Sequence, residues 1–289
     1  YIDQASGPGF VVVVAGGNEG DKRLHARASF NPSASLRFNL QGFGIIVGWY
    51  TGNITSLRVC SSACVSVPAG QSASSSLGSC QINLDARTTS SPLNGQGNFE
   101  IDMNNCIGTY RLEVDGSAVL DAYLLNADAD GGFLDGLQAD PFGGYLGTVG
   151  SPATSRRAIA VGAIYSTPSS STTHPSFTDL GKIAHFSSRG PTRDGRIKPD
   201  IVASGMFLRA PSPNNIYTLN AGTSFSSPVV AGLVALMLQQ NPNLSPEQAK
   251  ELLASSSVKE GFMGTIPNNT YGHGKAYALS VGGGSSGGS

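Results

Sequence analysis

Ser224 lies in the segment Ala221-Gly222-Thr223-Ser224-Phe225-Ser226-Ser227-Pro228, where a glycine-containing turn runs into an apolar, helix-like stretch. A serine hydroxyl is a weak nucleophile. At the start of a helix it gains partial positive charge and free backbone N–H groups that can hold a developing oxyanion. The plain alternative is an ordinary N-cap serine. A second candidate, Asn18, follows the β-branched run Phe10–Ala15 and the pair Gly16-Gly17, so a strand delivers an amide side chain to a tight loop. Its plain alternative is a strand-end turn residue. The four histidines, His25, His174, His185 and His273, all fall in loop-like contexts; His25 follows the Asn18 loop and is expected to be a solvated loop histidine. Asn126, Asp128, Asp130 and Gly131 imitate the start of a calcium loop, but Leu137 stands where the twelfth-position carboxylate belongs. Asp135 is a possible substitute ligand. The competing reading is an Asp/Gly-rich hairpin turn, and no metal residue is assigned.

These side chains need elements to position them. Phe10–Ala15 and Ala158–Ile164 (AIAVGAI) read as central strands buried on both faces. Ser224–Gln240 is apolar nearly all round and predicts a helix running through the middle of a domain. Ser245, Pro246 and Gln248 announce another helix over 246–256, with an N-cap, a first-position proline and a capping-box partner. From about Ala26 to Asp140 the texture changes to short alternating segments: Ser35–Leu40, Phe43–Tyr50, Leu57–Val59, Phe99–Met103, Tyr110–Val114 and Val119–Leu125. Turn-formers separate them, as in an all-β sandwich. Cys60, Cys64, Cys80 and Cys106 all fall there; two disulfides in an oxidising compartment are expected, with three pairings open.

Charged residues make up 13% of the 289 and the net charge is -1, so no basic face is on offer for nucleic acid or anionic lipid. No apolar run approaches the ~18 residues of a membrane span. Gly282–Ser289 reads as a flexible linker.

Four segments together resemble the subtilase family of serine proteases. Val11–Gly20 (VVVVAGGNEG) is similar to the strand and loop carrying the family's oxyanion-hole asparagine, which maps onto Asn18. Ser151–Ile164 (SPATSRRAIAVGAI) is similar to the following strand, and Phe186–Gly205 (FSSRGPTRDGRIKPDIVASG) to the segment leading to the serine. Gly222–Leu236 (GTSFSSPVVAGLVAL) resembles the nucleophile motif, with Ser224 in the nucleophile position. The resemblance implies an α/β fold with a subtilisin-like parallel sheet flanked by helices, here partial and interrupted by an all-β insertion. Gly108–Phe133 resembles the jelly-roll domains that some bacterial subtilases carry at this point. The expected organisation is residues 1–25 for the strand and loop of Asn18, 26–140 for the insertion, 141–281 for the nucleophile portion and 282–289 for the linker.

The implied function is a secreted serine endopeptidase acting on polypeptides through an acyl-enzyme on Ser224, with Asn18 as oxyanion donor and the backbone of Ala15, Gly16 and Gly17 lining the primary specificity pocket. The insertion begins close to Asn18, so the expectation is that it stands beside that pocket. No cofactor is required; structural calcium is a possibility. The departure from the family pattern is specific. Neither the His-Gly-Thr-His-type segment carrying the general base nor its upstream aspartate is present, and Asp3 reads as a surface charge. The favoured expectation is a fragment that needs an N-terminal protease segment as partner; alone it would be nearly inert, since losing the histidine costs a subtilisin about 10⁶ in turnover. The alternative is a pseudoprotease that binds partners with its β domain. A lipase-type hydrolase is disfavoured because Gly222–Ser226 lacks the Gly-x-Ser-x-Gly elbow.

Overall fold

A computed structural model describes residues 1–87, 90–91, 94–125, 131–166 and 179–277. The calcium-like stretch 126–130, His174 and the Gly/Ser tail lie outside them. In chain order the elements are α1 (Ile2–Ala5), β1 (Val13–Ala15), β2 (His25–Phe30), β3 (Ser33–Cys60), β4 (Cys64–Pro68), β5 (Ser72–Leu77) and β6 (Cys80–Asp85). There follow β7 (Gly97–Leu125), β8 (Gly132–Phe133), β9 (Ile159–Tyr165), β10 (Ile201–Ser212), β11 (Ile216–Ala221), α2 (Thr223–Gln240) and α3 (Pro246–Ser256). They form two compact units: Tyr1–Asp21 with Asp140–Ser289, and Lys22–Ala139.

The first unit is α/β. Its sheet has the order β1-β9-β10-β11, with β1, β9 and β10 parallel and β11 antiparallel at one edge. β9 is buried along almost its whole length, as a run of Ile, Val and Ala covered on both faces must be. β1 departs from expectation: the strand covers only Val13–Ala15 and is half-buried, because it is the other edge of the sheet. Helices α2 and α3 pack on one face through Val230, Val234, Met237, Ala249 and Leu253, against Ile159, Val161, Ile201 and Ala203.

Helix α2 also corrects the sequence reading. Its apolar residues go all round, yet burial is confined to a stripe at Thr223, Ser226, Val230, Val234 and Met237, the spacing of one helical face. Val229 and Leu236 are 40% and 45% exposed. The helix lies on the sheet rather than through a core, and its far side is bare among the described residues. α3 forms over Pro246–Ser256 with its capping box made: Gln248 N donates to Ser245 Oγ at 3.2 Å and Ser245 N to Gln248 Oε1 at 2.9 Å.

The second unit is a single antiparallel sheet of order β4-β3-β7-β6-β5, with β2 paired to β7 and β8 to β3. The short strands expected from the sequence merge into β3 and β7, which run 28 and 29 residues and pair along most of their length. The turn-formers between them bend the strands instead of ending them: register shifts fall at Gly42/Gly44 and Ile54/Ser56, and Asn105, Gly108 and Gly116 take positive φ inside β7. Gly48 and Gly97 leave room for rings, since a Cβ would fall 2.0 Å from Phe99 and Tyr50 respectively. One core unites Phe38, Leu40, Ile46, Leu57, Ile101, Leu112, Leu120 and Phe133. Of the three pairings, the disulfides are Cys60–Cys64, closing the β3–β4 hairpin, and Cys80–Cys106, tying β6 to β7.

His25 is not a solvated loop residue. It opens β2, is 4% exposed, stacks on Tyr123 at 4.6 Å and places Nε2 3.0 Å from Asp121 Oδ1. The strand pairing that sets His25 opposite Tyr123 is non-local and invisible in the local sequence.

Candidate active site

β1 ends at Ala15, and Gly16 N–H adds one more link to β9 by donating to Val161 O at 2.9 Å. The chain then turns at Gly17, whose φ of +113° favours glycine. On the other side, Gly222 (φ +144°) precedes α2, its N–H donating to Gly205 O at 2.8 Å. Ser224, exposed, is the second residue of the helix, where backbone N–H groups have no intrahelical acceptor.

Thr223 joins these two turns. Its N–H and its Oγ1 both donate to Asn18 Oδ1, at 2.9 and 3.0 Å, while Oγ1 accepts from Gly17 N–H at 3.2 Å. A backbone N–H can only donate, so Asn18 turns its carbonyl oxygen to Thr223 and its NH₂ away. A methyl built on Gly222 would lie 3.7 Å from Asn18 Nδ2 and Ser224 N and 3.8 Å from Asn18 Oδ1, so the side-chain amide of Asn18 and the backbone N–H of Ser224 approach the same point.

The loop is braced from below by the segment that follows β9. Asn18 N–H donates to Glu19 Oε2 at 2.7 Å, Glu19 N–H to Ser188 Oγ at 3.1 Å, Ser188 N–H to Gly17 O at 3.0 Å and Gly20 N–H to Phe186 O at 2.7 Å. Ser187 Oγ accepts from Ala163 N–H at 3.0 Å, and Arg189 Nη1 donates to Gly20 O at 2.8 Å. Burial pulls the Arg189 guanidinium below its ordinary value, against the pull of Asp140. Thr223, Glu19 and Ser188 were not singled out from the sequence, although each lies inside a segment that was.

Lys198 and Asp200, within the segment leading to the serine, are structural. Lys198 is buried, which pulls its ammonium down to about 8 while Asp200 holds it up. It donates to Asp200 Oδ2 at 2.6 Å and Ala158 O at 3.1 Å; Ala160 N–H donates to the same carboxylate oxygen at 2.7 Å, locking β9 to the start of β10.

Among the described residues no histidine is hydrogen-bonded to Ser224. His185 pairs Nδ1 with the Tyr165 hydroxyl at 3.0 Å and lies 3.9 Å from Asp21, and the backbone N–H of His273 donates to Asp200 O. Asp3 is no free surface charge. It accepts from Ser155 Oγ at 2.5 Å and from the N–H groups of Arg157 and Arg156, and these bonds outweigh its partial burial and hold its carboxyl at about 2.

As for metals, the described residues bring together Cys60, Cys64 and Glu113, but the two sulfurs are spent on a disulfide. Asp135, a possible calcium ligand by sequence, forks onto Arg37 at 2.8 Å through both carboxylate oxygens.

The subtilase family profile matches residues 129–274, just over half of the chain. The chain belongs to the subtilase family. As a subtilase it is 43% identical over 155 residues to the uncharacterized protein aq_aa18 of Aquifex aeolicus, covering 49% of this chain and 68% of that protein. It is 39% identical over 126 residues to the serine protease AprX of Bacillus subtilis, covering 39% of this chain and 27% of AprX. The CspB protease of Clostridium perfringens shares its fold, with a TM-score of 0.77 at 23% identity, over 96% of this chain and 59% of CspB. The chain thus spans about a quarter of the length of AprX and under two thirds of that of CspB.

Proposed function

We propose that this subtilase chain carries the nucleophile and oxyanion half of a secreted serine endopeptidase. Ser224 Oγ would attack a peptide carbonyl while Ser224 N–H and Asn18 Nδ2 hold the oxyanion. The C–N bond then breaks, the amine leaves with a proton, and water hydrolyses the acyl-enzyme. The observation carrying this reading is that Thr223 N–H and Oγ1 both hold Asn18 Oδ1, which fixes the Asn18 amide next to the residue preceding Ser224. The backbone of Ala15, Gly16 and Gly17 would line the pocket for the residue before the scissile bond, its small side chains leaving it open.

Proton transfer needs a base and an orienting carboxylate, supplied on this reading by a partner segment of the same protease. Among the described residues the apolar side of α2, with Val229 and Leu236, is bare and one edge of β1 has no strand partner, and both are surfaces such a segment would cover. The two disulfides support an oxidising, extracellular setting. For the β unit we retain the jelly-roll-like reading, its long strands bending back over one core, with substrate steering as its role.

A fluorophosphonate should label the complete protein at Ser224 and not label Ser224→Ala; a folded complete protein that resists labelling would overturn the proposal. A second reading, a pseudoprotease that holds a partner through its β unit, draws on the lack of any histidine bonded to Ser224 among the described residues. The same labelling separates the two.

A further inference from the structure

A cavity of about 570 Å³ opens within the α/β unit, in the volume range of small-ligand sites. Phe142, Tyr165, Phe262 and Tyr271 line it. Phe142 and Phe262 meet Tyr271 edge-on, with ring centroids 5.2 and 6.3 Å away, so three rings form one apolar wall. Arg189 also lines it and is 1% exposed. A guanidinium carries five N–H donors. Nη1 is used on Gly20 O; Nε stands 2.6 Å from Asp140 Oδ2 but at an angle that makes no hydrogen bond. Among the described residues Nη2 meets no acceptor. The buried Arg189 donor without a hydrogen bond is Nε, which faces Asp140; for the rest of the guanidinium, the cavity it lines is a direction from which an acceptor can arrive.

The charges around the cavity select the kind of acceptor. Asp140 already faces Arg189, Asp179 stands 3.0 Å from Lys182, and Asp21 stands 3.9 Å from His185. An anion would meet Asp21 and Asp179 in the lining, with Asp140 behind Arg189, and a cation would meet Arg189 and Lys182. We propose that this cavity binds a compact, uncharged aromatic group bearing an amide carbonyl, its ring against Phe142, Phe262 and Tyr271 and its oxygen on Arg189. Because Arg189 also holds Gly20 O, two residues beyond Asn18, occupancy is felt in that loop. A free aromatic amide and an aromatic residue of a polypeptide share this chemistry.

The test is an amide-resonance titration of the full chain. N-methylbenzamide should shift Gly20, Arg189 and Tyr271 saturably, with a Kd in the millimolar range expected for a ligand of about ten heavy atoms. Isobutyramide, without the ring, and toluene, without the acceptor, should bind at least about fivefold more weakly. Phe262→Ala, at a partly exposed rim position, should weaken N-methylbenzamide about tenfold, with Phe262→Leu intermediate. Tighter binding of N-acetylphenylalanine methylamide would identify a polypeptide as the source, and weaker binding a free amide. No saturable shift at the cavity residues, or affinity unchanged in toluene or in Phe262→Ala, would overturn the proposal. The readout is independent of Ser224, so failure here leaves the protease reading untouched.

Discussion

The two units solve the problem of burying apolar surface differently. The β unit gathers its buried hydrophobic residues into one cluster running from Ala26 to Phe133. The α/β unit spreads its own over four smaller clusters and leaves Val229 and Leu236 of α2, with Ile216, Tyr217 and Leu219 of β11, in the open. The closed unit is held by pairing, core and disulfides; the unit with bare faces carries Ser224 and Asn18. On the proposed reading, with Ser224 as nucleophile, such bare apolar faces are what half of a larger catalytic domain would show.

The sharpest way to break this contrast is at the site. Asn18→Ala in the complete protein should slow fluorophosphonate labelling by about 10² to 10³, the magnitude known for one such donor in a subtilisin, while leaving the β unit's melting unchanged. An unchanged labelling rate would remove Asn18 from the oxyanion site. Next, the disulfides should matter only to the β unit. Replacing Cys80 and Cys106 by serine opens a 26-residue separation and should cost about 3 to 4 kcal/mol, whereas Cys60 and Cys64, four apart, should cost about 2 kcal/mol. Chemical denaturation of each pair of variants measures both.

Helix α2 offers a finer comparison within one element. Val234, 3% exposed, should cost about 2 kcal/mol when cut to alanine. Leu236, 45% exposed, should cost only a few tenths in this chain, and about 2 kcal/mol or more in the complete protein if a further segment covers it. Equal costs in both contexts would mean that the face stays bare. The smallest effect concerns pH. Asp3 sits at about 2 against an ordinary 3.8, so its contribution is present above the unfolded value and is lost as pH falls from about 4 toward 2. Thermal melts should show this shallow acid loss in the α/β unit and its reduction in Asp3→Asn.

The sequence announced what is local. The capping box of α3 and the continuous apolar run of β9 appear in the structure nearly where their residues place them. Non-local pairing was hidden. Glycines and asparagines that usually end strands are bulges and bends within β3 and β7, because cross-strand partners continue past them. An all-apolar helix reads as fully buried, yet α2 meets only one sheet face. His25 looked like a loop residue because nothing nearby in sequence reveals Tyr123 and Asp121. At the candidate site, motif and spacing pointed to Ser224 and Asn18, and the structure brings their two turns together through Thr223. The Thr223 bridge and the Glu19–Ser188 brace were not legible, since each is a contact between segments more than 150 residues apart.

The account rests on Ser224 as an activated nucleophile, and mass-spectrometric mapping of fluorophosphonate adducts on the complete, folded protein tests it most directly. The expected result is a single adduct on the Ser224 peptide, absent in Ser224→Ala. A folded complete protein with no adduct at Ser224, or with equal labelling of Ser224→Ala, would contradict it.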